Sequence, residues 1–199
     1  MKESPTNLAW FSDSASTNPG KFFDPSGTAS ATTNGPIGGA VYFSGDNDYI
    51  KITNKAAFEL GKTNTISFWL MKWPASSGYW VSKGDRNNEG WAVKRSGSYQ
   101  AIWGGGSVSL NGAERSDWGW WNTNWYYVAA SIGGGTMNIY VNGVLDASKA
   151  ESGGLAGTSA SFAIAAQCAP DNGDNPLNFF TGAIDEVRAS SDVHSSNWI

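Results

Sequence analysis

Tyr126-Tyr127-Val128-Ala129-Ala130-Ser131-Ile132-Gly133-Gly134-Gly135-Thr136-Met137-Asn138-Ile139-Tyr140-Val141-Asn142-Gly143-Val144-Leu145 decides the fold class. Tyr126, Val128, Ala130 and Ile132 recur at every second position, and Met137, Ile139 and Val141 repeat that alternation after the triple glycine. A period of two places each set on one face of a strand. Asn142-Gly143 then separates Tyr140-Val141 from Val144-Leu145, and this dipeptide supplies the two positive φ angles of a type I′ hairpin. The stretch predicts adjacent antiparallel strands.

Outward from there, the same period runs through residues 65–73, where Ile66, Phe68 and Leu70 share one face and Ser67, Trp69 and Met71 the other. Further strands are expected over residues 40–43, 49–52, 80–82, 91–94, 99–103, 161–166 and 182–189, each bounded by Gly, Asn, Asp or Ser. The one helix-like piece, residues 55–60, is shorter than two turns and reads as a connector, with Asn54 able to cap its start and Gly61 its end. So many strands bury one face each only in two packed sheets or a closed barrel. The crossing connections favour an all-β, two-sheet antiparallel jelly-roll sandwich. The absence of an internal repeat argues against a propeller or solenoid.

The composition agrees. Of 199 residues 25 are glycine, which weakens helices, while 11 Trp and 7 Tyr supply core volume. With 17 acidic against 13 basic side chains the net charge is −4, which excludes a nucleic-acid binder driven by bulk charge. Cys168 is the single cysteine and His194 the single histidine, so an intrachain disulfide is excluded and a zinc enzyme is not expected. Neither is given a chemical role. No apolar run reaches the roughly 18 residues needed to cross a bilayer, and no membrane insertion is expected.

The length predicts one domain over residues 1–199. Residues 1–36, rich in Ser, Thr, Asn, Gly and Pro, carry Trp10, Phe11, Phe22 and Phe23 and are expected as an extended arm packed on the sandwich. Burial of each large aromatic gains roughly 1.5–3 kcal/mol, which disfavours a disordered linker. Met1-Lys2-Glu3-Ser4-Pro5 lacks the apolar core of a secretory signal. A domain excised from a longer secreted or virion protein would lack one too, and that origin is the expectation.

Four blocks carry a family resemblance: residues 40–50 (AVYFSGDNDYI), 65–70 (TISFWL), 140–143 (YVNG) and 180–188 (FTGAIDEVR). Their order and spacing resemble the laminin-G-like, concanavalin A-like jelly-roll domains, over about residues 40–199. The resemblance implies a non-catalytic module that binds glycans or proteins, as found in secreted bacterial enzymes, adhesins and phage tail or fibre proteins. The same fold hosts glucanases and alginate lyases, so fold alone leaves catalysis open. Retaining hydrolysis needs two carboxyl groups about 5–5.5 Å apart. No strand carrying alternating carboxylates occurs, and the lone histidine lies near the C-terminal end. Asp185 and Glu186, adjacent in a strand, should point to opposite faces unless a bulge intervenes. The resemblance also implies a structural Ca²⁺ held by Asp185, the Gly45 carbonyl and Asp13. The alternative is that Asp185 or Glu186 pairs with Arg188 or caps a turn.

Aromatic residues crowd the stretch between Trp73 and Trp125. Trp69, Trp91 and Trp125 lie in strand patterns and read as core or sheet-face residues. Trp118, Trp120 and Trp121 follow a polar run, and Trp103 precedes three glycines, which are loop contexts. A loop Trp beside polar groups suits a sugar, whose C–H face packs on the ring while its hydroxyls find hydrogen bonds. The expected carbohydrate-binding set is Trp80, Arg86, Asn88, Tyr99, Trp103, Trp118, Trp120 and Trp121, with a polysaccharide or cell-surface glycan as partner. The alternatives are that these rings join subunits of a virion or cell-surface assembly, or pack the sheets; an enzyme is the third reading.

Overall fold

The computed structural model describes residues 10–11, 18–27, 29–53, 56–72, 78–86, 89–95, 101–105, 108–113, 124–169 and 174–199. One sheet has eight strands in the order β1 (Trp10–Phe11), β2 (Gly20–Phe23), β5 (Tyr49–Ile52), β14 (Phe162–Ile164), β7 (Gly78–Arg86), β8 (Glu89–Arg95), β9 (Ala101–Gly105) and β10 (Val108–Asn111). The facing sheet has seven, ordered β13 (Val144–Ala150), β12 (Thr136–Val141), β11 (Tyr126–Gly133), β6 (Asn64–Lys72), β17 (Gly182–Ser190), β4 (Gly38–Phe43) and β3 (Ser30–Gly35). A two-stranded ribbon, β15 (Gln167–Cys168) with β16 (Pro176–Leu177), completes the antiparallel jelly-roll sandwich.

The turn chemistry is as expected at the hairpins. Asn142 and Gly143 have φ of 52° and 77°, and Gly134 and Gly135, between the facing residues Gly133 and Thr136, have 60° and 83°. Both are two-residue turns with two left-handed positions. The helix-like connector shrinks to a 3₁₀ turn, Ala56–Phe58. Described residues of the N-terminal stretch join both sheets, β1 beside β2 and β2 beside β5 in one, and β3 beside β4 in the other.

Between the sheets lies a layer of aromatic rings meeting edge to face. Phe68 and Trp80 have centroids 6.1 Å apart at 66°, Trp91 and Trp103 5.9 Å at 67°, and Trp91 and Phe162 5.7 Å at 66°. Trp103 Nε1 donates to the Ser131 carbonyl at 3.2 Å, a hydrogen bond from one sheet to the other. Trp80 and Trp103, expected in the sugar platform, are therefore corrected to core residues, each fully buried. The glycines after Trp103 misled the reading: Gly104 and Gly105 are strand residues, and a Cβ on them would collide with the carbonyls of Val108 and Gly90. They mark close backbone approach within a sheet, not a loop.

Two charged clusters secure the ends. The wholly buried Lys83 ammonium donates to Glu59 Oε1 at 2.6 Å and to the carbonyls of Thr158 and Ala160 at 2.8 and 3.0 Å, beside the 3₁₀ turn. Asp174 takes Lys51 Nζ at 2.7 Å, the Ser161 N–H at 2.9 Å and the Ser161 hydroxyl at 2.6 Å. Burial pulls the Asp174 pKa upward, but these donors outweigh it and hold the carboxyl below its ordinary value. Cys168 is buried against the eight-stranded sheet, and burial pushes its thiol up to about 12.

Lys83→Met leaves two buried carbonyls without their donor and is expected to lower unfolding stability by about 1–3 kcal/mol, read from urea unfolding. A carboxyl held low in the folded state stabilises above the unfolded pKa, about 3.9, and loses that contribution as pH falls through the folded value. Asp174→Asn should thus be less stable than the native protein at pH 7, with the gap narrowing below about pH 4 in paired thermal melts.

Candidate functional site

The alternation that drives Ile66, Phe68 and Leu70 inward turns Trp69 to the outer face of the seven-stranded sheet. Register places Trp69 between Tyr127 on β11 and Asp185 on β17. The Trp69 and Tyr127 rings lie 5.2 Å apart, tilted by 49°. Trp125, just before β11, donates its Nε1 proton to the Asn34 carbonyl at 3.1 Å. Asn142, at the β12–β13 turn, ties itself to Tyr127 twice: its Oδ1 accepts the Tyr127 N–H at 2.9 Å, and its own N–H donates to the Tyr127 carbonyl at 2.8 Å.

β17 supplies the polar groups through a bulge. Its register against β6 passes from Asp185 opposite Trp69 to Arg188 opposite Ser67, three steps against two, with Glu186 at a φ of 51°. Val187 packs on the core, while Glu186 and Arg188 face the same hollow. Opposite faces were expected for Asp185 and Glu186 unless a bulge intervened, and this bulge is that exception: the extra residue breaks the alternation. Arg188 Nη2 donates to Glu186 Oε2 at 3.1 Å, the pairing weighed as the alternative to a metal role. Burial pushes the Glu186 carboxyl up, but the bond to Arg188 helps hold it below its ordinary value. Asp185 is almost completely buried, and its Oδ2 accepts the Ile37 N–H at 3.1 Å. Burial raises its pKa, against the pull of that hydrogen bond. Gly35 leaves room for it, since a Cβ there would stand 2.7 Å from the same oxygen.

These residues line an open hollow of about 610 Å³, whose walls are Trp69, Trp125, Tyr127, Asn142, Glu186 and Arg188, flanked by Ile37 and Ile199. Three aromatic rings supply apolar surface, a carboxylate supplies acceptors and a guanidinium supplies donors. Such a surface can hold a small polyhydroxylated ligand against its rings while satisfying its hydroxyls.

Of the expected carbohydrate-binding residues, Trp80 and Trp103 are buried in the core. Arg86 ends β7 with its backbone facing Glu89, and its side chain is outside the described residues. Asn88, Tyr99, Trp118, Trp120, Trp121 and Asp13 also lie outside the described residues. Of the expected calcium ligands, the two that are described, Asp185 and Gly45, lie apart. Asp185 sits on the outer face with Ile37, whereas Gly45 lies four residues beyond Val41, the partner of Ile184, which at about 3.3 Å per residue is roughly 13 Å along the strand. The Gly45 loop is organised by Asp48, whose carboxylate accepts the N–H groups of Ser44 and Gly45 at 2.6 and 3.1 Å and the Ser44 hydroxyl at 2.9 Å. His194, near the C-terminal end, stacks on Trp198 at 3.7 Å. The signal that would have found the hollow was a Trp on the polar face of β6, at the centre of a Ser67, Trp69, Met71 series.

No curated protein sequence matches the chain. Among solved structures it is similar to domain 4 of AbnA, an extracellular GH43 arabinanase from Geobacillus stearothermophilus, in complex with arabinotriose, with a TM-score of 0.70, 21% identity, and 96% of this chain and 90% of that one covered. It is similar also to the Ruminococcus gnavus IT-sialidase CBM40 bound to α2,3 sialyllactose, with a TM-score of 0.59, 12% identity, and coverage of 80% and 93%. A third similar structure is the binding domain of botulinum neurotoxin DC in complex with SialylT, with a TM-score of 0.64, 14% identity, and 90% of this chain but 44% of that one covered. Likenesses at such identities establish a common fold. The family model described as the concanavalin A-like lectin/glucanases superfamily matches residues 44–199, and the chain belongs to that family.

Proposed function

We propose that this chain is a non-catalytic glycan-binding module that holds a polysaccharide or cell-surface glycan in the hollow on its seven-stranded sheet. The observation that carries the reading is the grouping of Trp69, Trp125 and Tyr127 with the Glu186–Arg188 pair around one open cavity. Pyranose and furanose rings have apolar C–H faces and polar rims, and the hollow offers the complement of both. Its volume falls within the roughly 300–1,000 Å³ of small-molecule sites. The solved complexes with arabinotriose and sialyllactose support sugar binding on this fold.

The non-catalytic part of the reading rests on the carboxylates. Asp185 is buried under the Ile37 N–H, and Glu186 is engaged by Arg188, so neither is placed as an unencumbered acid or nucleophile. A secreted or virion-associated location, with tethering to further domains of a longer protein, follows as part of the same proposal. The arabinanase domain, itself one part of an extracellular enzyme, supports it.

Affinity gel electrophoresis on a panel of polysaccharides tests the function. Trp69→Ala and Tyr127→Ala should each weaken retardation about tenfold, since an aromatic contact is worth roughly 0.5–1.5 kcal/mol beyond its buried area. Their melting temperatures should stay close to native, whereas Trp103→Ala should lose binding through loss of the fold. Retardation unchanged in both site variants would remove the hollow from the function, and release of new reducing ends would refute the non-catalytic reading.

A further inference from the structure

We infer that the hollow selects uncharged saccharides and turns away acidic ones, an inference that rests on the glycan-binding reading above. Its lining holds two charged groups, Glu186 and Arg188, and these already satisfy each other at 3.1 Å. Asp185 stands beside them, opposite Trp69 in register, so the described residues set two carboxylates against one guanidinium. A uronate or sialate carboxylate entering here needs Arg188 as its partner. Taking it sets a third carboxylate beside Glu186 and Asp185, where like charges repel.

The rings add to this bias. Trp69, Trp125 and Tyr127 line the hollow, and an aromatic face carries the negative lobe of the ring quadrupole, which disfavours a carboxylate laid over it. A sugar hydroxyl meets no such penalty, because it donates to Glu186 and accepts from Arg188 without separating the pair. The chain's net charge of −4 acts in the same direction at long range and repels polyanions. The ligand class that fits is a short stretch of neutral polysaccharide, with its C–H faces on the rings and its hydroxyls along the Glu186–Arg188 pair.

The test runs the full chain at low ionic strength through gels containing neutral polymers (arabinan, xylan, galactan, β-glucan) or acidic ones (polygalacturonate, alginate, polysialic acid), with Trp69→Ala as the site control. The expected result is Trp69-dependent retardation by at least one neutral polymer and no retardation by the acidic set. Glu186→Gln, with Glu186→Ala as a second substitution and melting curves to verify folding, should lose neutral binding about tenfold and gain retardation by an acidic polymer. Trp69-dependent retardation of the native chain by an acidic polymer overturns the inference and leaves glycan binding standing. Variants that still exclude acidic polymers overturn it as well, because charge is then not the cause. Retardation by no polymer overturns the glycan-binding reading itself.

Discussion

The edge-to-face contacts of Phe68, Trp80, Trp91, Trp103 and Phe162 between the two sheets are the constraint on which the other features hang. Small aliphatic side chains would leave the gap between two sheets underfilled, and indoles fill it with few residues. Once Phe68 is committed inward, alternation along β6 commits Trp69 outward. Packing of the core and exposure of the binding surface are thus two readings of one register. The Trp103 hydrogen bond to Ser131 pins that register across the sandwich, because it ties β9 to β11, the strand that carries Tyr127.

Most of the fold was legible in the sequence because it is local. Period-two runs over β6, β11 and β12, and the Asn142-Gly143 turn, need only a few consecutive residues to be recognised, and the β5 expectation coincided with the strand. Short strands without a clear period, such as β10 (VSLN) and β3 (SATTNG), were not expected, since their neighbours rather than their own pattern hold them in place. Gly104 and Gly105 show the same limit: their meaning depends on carbonyls of adjacent strands, which no local pattern displays.

The site was less legible than the fold for a related reason. The three glycines after Trp103 suggest a loop, where binding is common, but Trp103 faces the core, as does Trp80. Trp69, Tyr127 and Arg188 are separated by dozens of residues and meet only through the order β11, β6, β17. The Glu186–Arg188 pairing was weighed from spacing, and the bulge was admitted as an exception to the opposite-face rule. Neither could be placed against Trp69 without the pairing of strands. Buried charge follows the same logic: nothing adjacent to Lys83 in sequence announces that Glu59, Thr158 and Ala160 will surround its ammonium group.

The bulge in β17 also sets the phase of everything after it. Ile184 and Val187 both reach the core although they stand three positions apart, an odd number of steps. An unbroken strand would flip the second half over, presenting Val187 to water and Arg188 to the apolar interior. The single supernumerary residue therefore works as a frame correction. Substitutions at Glu186 can retune the rim chemistry, and even its deletion would leave a regular strand with Val187 inward and Arg188 outward; a further added residue, by contrast, would carry the strand's end out of phase.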